Sequence, residues 1–284
     1  MIRAKLALLS WALLLCMIAG GAQSALGQTA ARATPAPTPA DIHATVTETS
    51  IDSSLPGDQA VDKMLTVYST KVRALDEVIG KLKGDLKKGG VGAGSLGNFV
   101  ADAIRDRAQV KLGKPVLLAI TNSGGLRKDA ISEGELRVSD IFELLPFENA
   151  LVTLDLTGDQ LRRFLDVIVT HRDAQSGARI MYRSNDKKES EIVSVKLGSR
   201  GAETEIDPKA TYTILTIDYL VKRGGDYSIL QQAKNVQLLN LTMRDAVLDY
   251  VKAETAAGRD IKATLDGRWR SDKSATQTEV EPPQ

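Results

Sequence analysis

The feature that most constrains the fold is a continuous apolar run that ends directly on a glycine-rich polar loop. Residues 116–120 read Val-Leu-Leu-Ala-Ile, and residues 121–127 read Thr-Asn-Ser-Gly-Gly-Leu-Arg. An apolar run without polar alternation indicates a β-strand covered on both faces. Paired glycines permit the backbone angles of a tight loop that a ligand can approach closely. We therefore predict a layered domain of helices and sheet, with this loop at the end of a strand.

The other periodic segments fit such a domain. An amphipathic helix is predicted over residues 57–73, with Val61, Met64, Leu65 and Tyr68 on one face, and a second helix begins near Ser95, which we expect to cap it. The alternation of residues 152–156 indicates a half-buried strand. Further strands are predicted over residues 75–79, 179–182, 192–197 and 212–216, and further helices over residues 138–144, over residues 159–169 and from Thr242 onwards. The predicted fold class is α+β, a mixed sheet with flanking helices.

The two ends of the chain differ in composition from the middle. Arg3 and Lys5 precede an apolar run and then small residues, a pattern typical of a secretory signal cleaved before Gln28, with an uncleaved anchor as the alternative. The predicted organisation is a signal peptide (1–27), a Pro-, Ala- and Thr-rich linker (28–56), one domain (57–270) and a polar tail (271–284). We expect an exported protein, periplasmic or secreted, with no membrane contact after cleavage.

Charge and reactive side chains argue against several functions. Loss of Arg3 and Lys5 with the signal would lower the basic residues from 37 to 35, against 36 acidic ones. This balance argues against nucleic acid as a partner. Cys16, the one cysteine, lies in the predicted signal. His43 and His171 lie in no metal-binding motif, so we predict no catalytic residue and no metal ligand in this chain, and expect His171 at a helix end.

The loop at residues 121–127 carries side chains suited to ligand recognition. Asn122 offers a donor and an acceptor, and Gly124 lets a ligand approach the main chain. Arg127 offers a planar cationic fork for phosphate or ribose oxygens. The alternative interpretation is a plain turn with a solvated arginine.

Two further loops follow predicted elements in the same way. Phe147 comes after a proline, where an aromatic ring can stack on a planar base, and Asn149 ends that loop as a further binding residue. Tyr219 and Asp226 lie on either side of a glycine pair, and offer a second ring and a carboxylate suited to hydroxyl groups. The alternatives are a core phenylalanine beside a turn and a helix end closed by Gly224.

Four short motifs occur in a fixed order along these segments. Residues 96–103 read Leu-Gly-Asn-Phe-Val-Ala-Asp-Ala, residues 122–127 Asn-Ser-Gly-Gly-Leu-Arg, residues 145–147 Leu-Pro-Phe and residues 224–226 Gly-Gly-Asp. Together they resemble the C-terminal domain of the 5'-nucleotidase family, over about residues 60–270. The resemblance implies that domain's fold and the binding of a nucleotide or nucleoside.

The resemblance also implies roles for individual residues. Phe147 and Tyr219 stand where the family has aromatics that stack on the base, and Tyr219 replaces the usual phenylalanine with its ring face kept. Asn122 and Arg127 stand for the asparagine and arginine of the family's glycine loop. Asp226 stands for its ribose-binding aspartate.

Two departures from the family pattern matter. Residues 89–95 read Gly-Gly-Val-Gly-Ala-Gly-Ser and lack the arginine and the Glu-Ser or Glu-Cys pair that the family supplies there. The motifs of the family's metallophosphoesterase domain, which holds two divalent metals, are also missing from the printed sequence. Since two-metal hydrolysis needs several ligands and an activated water, the resemblance implies metals only on a separate metallophosphoesterase subunit.

Three hypotheses for the function remain open. The first is the nucleotide-recognition part of a 5'-nucleotidase system in nucleotide catabolism, with the metal-bearing part on a separate polypeptide. The second is a non-enzymatic exported nucleotide- or nucleoside-binding protein. The third is a scaffold module that has lost the ligand, for which the uncharged residues 89–95 are the best support.

Overall fold

The computed structural model describes residues 46–52, 54–185, 187, 189–198 and 201–272. The chain divides into two units, with the boundary between Pro56 and Gly57. The predicted signal peptide, most of the linker and most of the tail lie outside the described residues. No helix in the described part of the chain is long and apolar enough to span a membrane.

Local capping explains where several helices begin. The α-helices are α1 (Gln59–Ala74), α2 (Gly94–Leu112), α3 (Val138–Leu144), α4 (Gly158–Thr170), α5 (Asp218–Arg223) and α6 (Met243–Ala256). The hydroxyl of Thr157 accepts from the backbone N–H of Gln160 at 3.3 Å, and the Gln160 side chain accepts from Thr157 N–H at 2.9 Å, which is a capping box at α4. Thr242 caps α6 by accepting from Asp245 N–H at 3.0 Å, as predicted.

Ser95 does not cap α2, and that prediction is wrong. The N-cap residue is Ala93, in a left-handed conformation with φ 56°. Ser95 lies inside the helix, and its hydroxyl accepts from Lys87 N–H at 2.9 Å, which fixes a neighbouring strand against the helix start. Gly92, with φ 84°, packs on the indole of Trp269, where a Cβ would lie 2.0 Å from Nε1. Within the glycine-rich residues 89–95, Gly92 is therefore packed against the C-terminal part of the domain.

The apolar face of α1 is exposed. The helix forms, but none of its residues is buried, and Met64, for example, is 60% exposed. The carboxylate of Asp58 accepts from Ala60 N–H at 2.7 Å and from Val61 N–H at 3.2 Å. Local capping therefore supports a helix whose apolar side chains do not pack on the core of the described structure.

The strands form one central sheet and three smaller ones. They are β1 (Val78–Lys83), β2 (Leu86–Lys87), β3 (Ala119–Thr121), β4 (Ala130–Ile131), β5 (Gly134–Arg137), β6 (Ala150–Thr157), β7 (Ala174–Ser176), β8 (Ala178–Ser184), β9 (Ser190–Leu197), β10 (Thr211–Ile217), β11 (Lys234–Thr242), β12 (Ile261–Lys262) and β13 (Trp269–Ser271). The central sheet has the order β11-β6-β10-β3-β7, and the smaller sheets are β12-β1-β5, β13-β8-β9 and β2-β4. The α+β fold class predicted from the sequence is confirmed.

Strand directions in the central sheet bring three loops to one edge. β10 runs parallel to β3, with Leu215 opposite Ala119, and antiparallel to β6, with Leu215 opposite Thr153. The carboxyl ends of β3 and β10 and the amino end of β6 therefore meet at the same edge.

The core surrounds these central strands. The apolar run at residues 116–120 is buried except for the partly buried Leu117, and only its last part belongs to β3. The half-buried strand predicted over residues 152–156 is instead covered on both faces, since Val152 and Thr153 are both buried. The polar Asp155 fits this position because it accepts hydrogen bonds from Thr213 at 2.6 Å and Asn235 at 2.7 Å.

Candidate functional site at one edge of the central sheet

The three loops at this sheet edge enclose one cavity. A 3₁₀ turn, Ser123–Gly125, follows β3, residues 147–149 precede β6, and α5 follows β10. The cavity has a volume of about 350 Å³, within the range of small-molecule sites. We call it the recognition cleft, and its lining residues are Asn122, Gly124, Gly125, Arg127, Phe147, Asn149, Tyr219 and Arg223.

Most of the residues singled out in the sequence lie together in this cleft. Those that line it are Asn122, Gly124, Arg127, Phe147, Asn149 and Tyr219. Asp226 is not among the lining residues. Gly125 and Arg223 line the cleft without having been predicted. Arg223 was missed because a basic residue before a glycine pair is typical of an ordinary helix end.

Asn122 lies at the base of the glycine loop. The residue is 7% exposed, and its Oδ1 is buried without a hydrogen-bond partner in the described structure. A Cβ on Gly125 would lie 3.1 Å from this oxygen, so the loop packs closely over the amide. An unpaired buried acceptor costs about 1–3 kcal/mol, which a ligand N–H or O–H group reaching it would offset.

Two exposed aromatic rings line the cleft, and each has an arginine beside it. Phe147 is 48% exposed and Tyr219 43% exposed. The Arg127 guanidinium lies 6.0 Å from the centroid of the Phe147 ring, and the Arg223 guanidinium lies 5.8 Å from that of Tyr219. Rings left open in a cavity can stack on a planar ligand, and the guanidinium groups supply positive charge next to them.

Arg127 is fixed by its main chain more than by its side chain. Its backbone N–H donates to Leu144 O at 2.9 Å, which joins the glycine loop to the end of α3. Besides its position near Phe147, its guanidinium makes one long hydrogen bond within the described residues, 3.5 Å to Gly124 O. The side chain is therefore available to a ligand anion.

A buried carboxylate anchors the glycine loop from behind. Asp173 is 1% exposed and accepts from Ser123 N–H at 2.8 Å and from the Tyr227 hydroxyl at 2.5 Å. The Ser123 hydroxyl donates to His171 O at 3.1 Å. Burial raises the pKa of Asp173, and the hydrogen bonds from Tyr227 and Ser123 oppose that rise. Burial also raises the pKa of the Tyr227 hydroxyl, with the Asp173 carboxylate adding to the effect. This network, which the sequence did not reveal, holds two of the three loops together.

Asp226 pairs with a histidine on the neighbouring helix end. His171 Nε2 lies 2.9 Å from Asp226 Oδ2, and the Asp226 side chain is 73% exposed. The His171 ring stacks on Tyr227 with centroids 5.2 Å apart. His171 is the C-cap residue of α4, which confirms its predicted place at a helix end.

A second, larger cavity of about 430 Å³ is lined by residues of α2 and α6 and by residues 258–264. Its acidic side chains each have a basic partner, in the pairs Asp102–Arg268, Glu254–Arg259 and Asp260–Lys83. Because its charges are balanced and its lining contains no residue of the three loops, we favour the smaller recognition cleft as the candidate site. Within residues 46–272, as far as the structure describes them, no group of three or more His, Cys, Asp or Glu side chains could hold a metal ion.

Curated relatives of this chain include a nucleotide phosphoesterase and 5'-nucleotidases. The chain is 26% identical over 182 residues to the trifunctional nucleotide phosphoesterase protein YfkN of Bacillus subtilis, which covers 61% of this chain and 12% of that protein. It is 28% identical over 183 residues to a 5'-nucleotidase of Vibrio vulnificus, covering 62% of this chain and 31% of that protein. The chain thus spans less than a third of the length of these curated relatives.

A solved structure shares the fold. The 5'-nucleotidase precursor from Thermus thermophilus superposes with a TM-score of 0.63 and 26% sequence identity, over 77% of this chain and 44% of that one. The family model described as the 5'-nucleotidase C-terminal domain matches residues 77–232, more than half of the chain. This range contains all three loops of the recognition cleft. The chain therefore belongs to the family of 5'-nucleotidase C-terminal domains.

Proposed function

We propose that this chain recognises a nucleotide or nucleoside as part of a 5'-nucleotidase-type system, and that a metallophosphoesterase domain on a separate polypeptide completes hydrolysis. The observation that carries the proposal is the convergence of Phe147 and Tyr219, both half-exposed, on one cleft. A base stacked between or beside these rings would gain about 1–3 kcal/mol for each stacking contact.

Polar groups of the cleft complement the parts of a nucleotide that are not flat. The buried Asn122 Oδ1 has no hydrogen-bond donor within the described structure. A base N–H or a ribose hydroxyl could supply one. Arg127 suits phosphate or ribose oxygens. Asp226 lies outside the cleft lining and pairs with His171 through Oδ2, and we expect its other carboxylate oxygen to accept from a ribose hydroxyl.

Calorimetric titration tests the recognition step. The chain without residues 1–27 is titrated with adenosine, AMP and a UDP-sugar, and saturable binding of at least one of them is expected. Absence of binding across this panel would contradict the proposal. Binding that Phe147→Ala leaves unchanged would favour a scaffold role for the domain.

A mixing experiment tests the hydrolytic step. Metallophosphoesterase proteins of the same organism, loaded with divalent metal, are assayed for AMP hydrolysis with and without this chain. A gain in hydrolysis together with a complex in size-exclusion chromatography is the expected result. Tight nucleotide binding without either effect would support the second candidate, a non-enzymatic binding protein, for which the cleft contained within this one chain is the supporting observation.

Export is part of the same proposal. It rests on the basic start, apolar run and small-residue exit of residues 1–27. Mass spectrometry of the protein from the extracytoplasmic fraction is expected to find an N-terminus at Gln28. Recovery of the intact chain in the cytoplasmic fraction would contradict export.

A further inference from the structure

The recognition cleft is positively charged. Among its lining residues, Arg127 and Arg223 are cationic and none is a carboxylate. Two cations without a counter-charge in a concave site attract anions more strongly than they would on an open surface, because the protein walls limit solvent screening. The cleft is therefore suited to a negatively charged ligand.

Arg223 has aromatic neighbours where an acidic partner would be usual. Its guanidinium lies 5.2 Å from the ring centroid of Tyr227, in addition to its contact with Tyr219. The acidic residues nearest to Arg223 in sequence, Asp218 and Asp226, have other partners. Asp218 accepts from Lys222 Nζ at 2.7 Å and from Ala150 N–H at 3.0 Å.

The Asp226 carboxylate likewise has another partner, with its Oδ2 lying 2.9 Å from His171 Nε2. A guanidinium held near aromatic rings keeps its N–H donors in the plane of the group, where they can bind an anion through two parallel hydrogen bonds. The aromatic contacts thus hold Arg223 in place without neutralising its charge.

The position of Arg223 on α5 places its charge beside a stacking ring. Tyr219 and Arg223 are four residues apart in one helix, so their side chains lie on the same face one turn apart. Both line the cleft. A ligand whose flat part contacts Tyr219 therefore has the Arg223 cation next to it.

The geometry points to Arg223 as a specificity-determining residue that makes the cleft select phosphorylated ligands over the uncharged nucleoside with the same base. This assignment rests on the proposed nucleotide recognition. It adds that the ligand is an anion and that Arg223 binds its negative charge. Both cations of the cleft lining are thereby named, Arg127 on the glycine loop and Arg223 on α5.

The test compares adenosine, AMP and ADP as ligands of four proteins by calorimetry. These are the wild type, Arg223→Ala, Arg223→Lys and the control Arg163→Ala, which removes an exposed arginine of α4 outside the cleft. Arg223→Ala is expected to weaken AMP binding about tenfold or more, as for loss of a charged hydrogen bond, and to leave adenosine within about twofold. Arg223→Lys keeps the positive charge without the planar guanidinium, so its AMP affinity should lie between those of the wild type and Arg223→Ala. Arg163→Ala should bind AMP and adenosine like the wild type.

Salt provides an independent readout. AMP affinity of the wild type should fall as ionic strength rises, and this dependence should be weaker in Arg223→Ala. An equal loss of AMP and adenosine binding in Arg223→Ala would overturn the inference, because the arginine would then only support Tyr219. The same loss in Arg163→Ala would also overturn it, since net charge alone would explain the effect.

A titration with pyrophosphate separates this inference from the proposed function. If the wild type binds none of the nucleosides and nucleotides, the proposed function fails. Pyrophosphate binding that is lost in Arg223→Ala would still support an anion-binding Arg223. Absence of pyrophosphate binding as well would overturn both, and near-UV circular dichroism of each variant checks that the fold is intact.

Discussion

The hydroxyl of Tyr227 donates a 2.5 Å hydrogen bond to the carboxylate of Asp173, and this pair connects two loops of the recognition cleft from inside the protein. The other carboxylate oxygen accepts from Ser123 N–H at 2.8 Å, in the glycine loop. One buried acidic group thereby sets the distance between the loop after β3 and the segment after α5.

Asp173→Asn is expected to change how stability depends on pH. Burial raises the folded-state pKa of Asp173 above its ordinary value of 3.8, against the hydrogen bonds from Tyr227 and Ser123. Its contribution to the free energy of unfolding is therefore fully present below pH 3.8 and is lost as pH rises through the folded-state pKa. Urea denaturation between about pH 3.5 and 7 should show that the free energy of unfolding of the wild type falls relative to that of Asp173→Asn as pH rises. The prediction would be contradicted if the free energy of unfolding of the wild type stayed constant or rose relative to that of the variant as pH increased.

Phe147→Ala and Tyr219→Ala should each weaken nucleotide binding by about 1–3 kcal/mol, because each removes a ring that can stack on the base. Both rings are half-exposed, so the thermal midpoint should change little. Tyr219→Phe keeps the ring face and should bind like the wild type. Calorimetry on the three variants checks the prediction, and equal affinities for Tyr219→Ala and Tyr219→Phe would show that the ring is not used.

Gly92→Ala should destabilise the fold. The left-handed backbone, with φ 84°, costs about 1–2 kcal/mol for a residue with a side chain, and the new Cβ would meet Trp269 Nε1. Gly89→Ala is the matched control in the same loop, since nothing lies within 4 Å of a Cβ there. In a protein without residues 1–27, Trp269 is the one tryptophan, so its fluorescence follows urea unfolding at this contact. Equal midpoints for the two variants would refute the packing argument.

Arg268→Met should also be strongly destabilising. The guanidinium donates two 2.8 Å hydrogen bonds to Asp102 and two more, at 2.9 and 3.0 Å, to Asp266, and so ties the C-terminal segment to α2. Breaking a buried ion pair costs about 3–5 kcal/mol, and the lower part of that range applies because both carboxylates are partly exposed. Arg270→Met, at an exposed position two residues on, should stay close to the wild type in the same denaturation experiment. A similar loss in both variants would argue against the ion-pair explanation.

Local signals predicted those parts of the fold that depend on neighbouring residues. The bounds of α3 and the cap at Thr242 follow from apolar spacing and capping chemistry that act within a turn of helix. Two loops of the candidate site were found because glycine pairs and polar side chains come after predicted strands, and the third because Phe147 follows a proline. Their meeting at one cleft needed the resemblance, since strand order is set by pairings between distant residues such as Leu215 and Ala119.

Long-range contacts explain what the sequence left hidden. β11 escaped prediction because Asn235 and Asn240 adopt positive φ and interrupt its alternation, although the strand pairs with β6. Ser95 has the composition of a helix cap, yet its hydroxyl serves a neighbouring strand. Asp173 carries no local signal of its role, because its partners are about fifty residues away on either side.

The arrangement of the central sheet separates what holds the domain together from what it recognises. Strands β6, β10 and β3 are neighbours, so the loops that they carry start at intervals of about 4.8 Å. Loop length and side chains at that edge can change while the strand registers stay as they are. Loop exchange between relatives of this domain should therefore transfer ligand preference onto an unchanged scaffold, which makes the cleft a practical starting point for engineered binders.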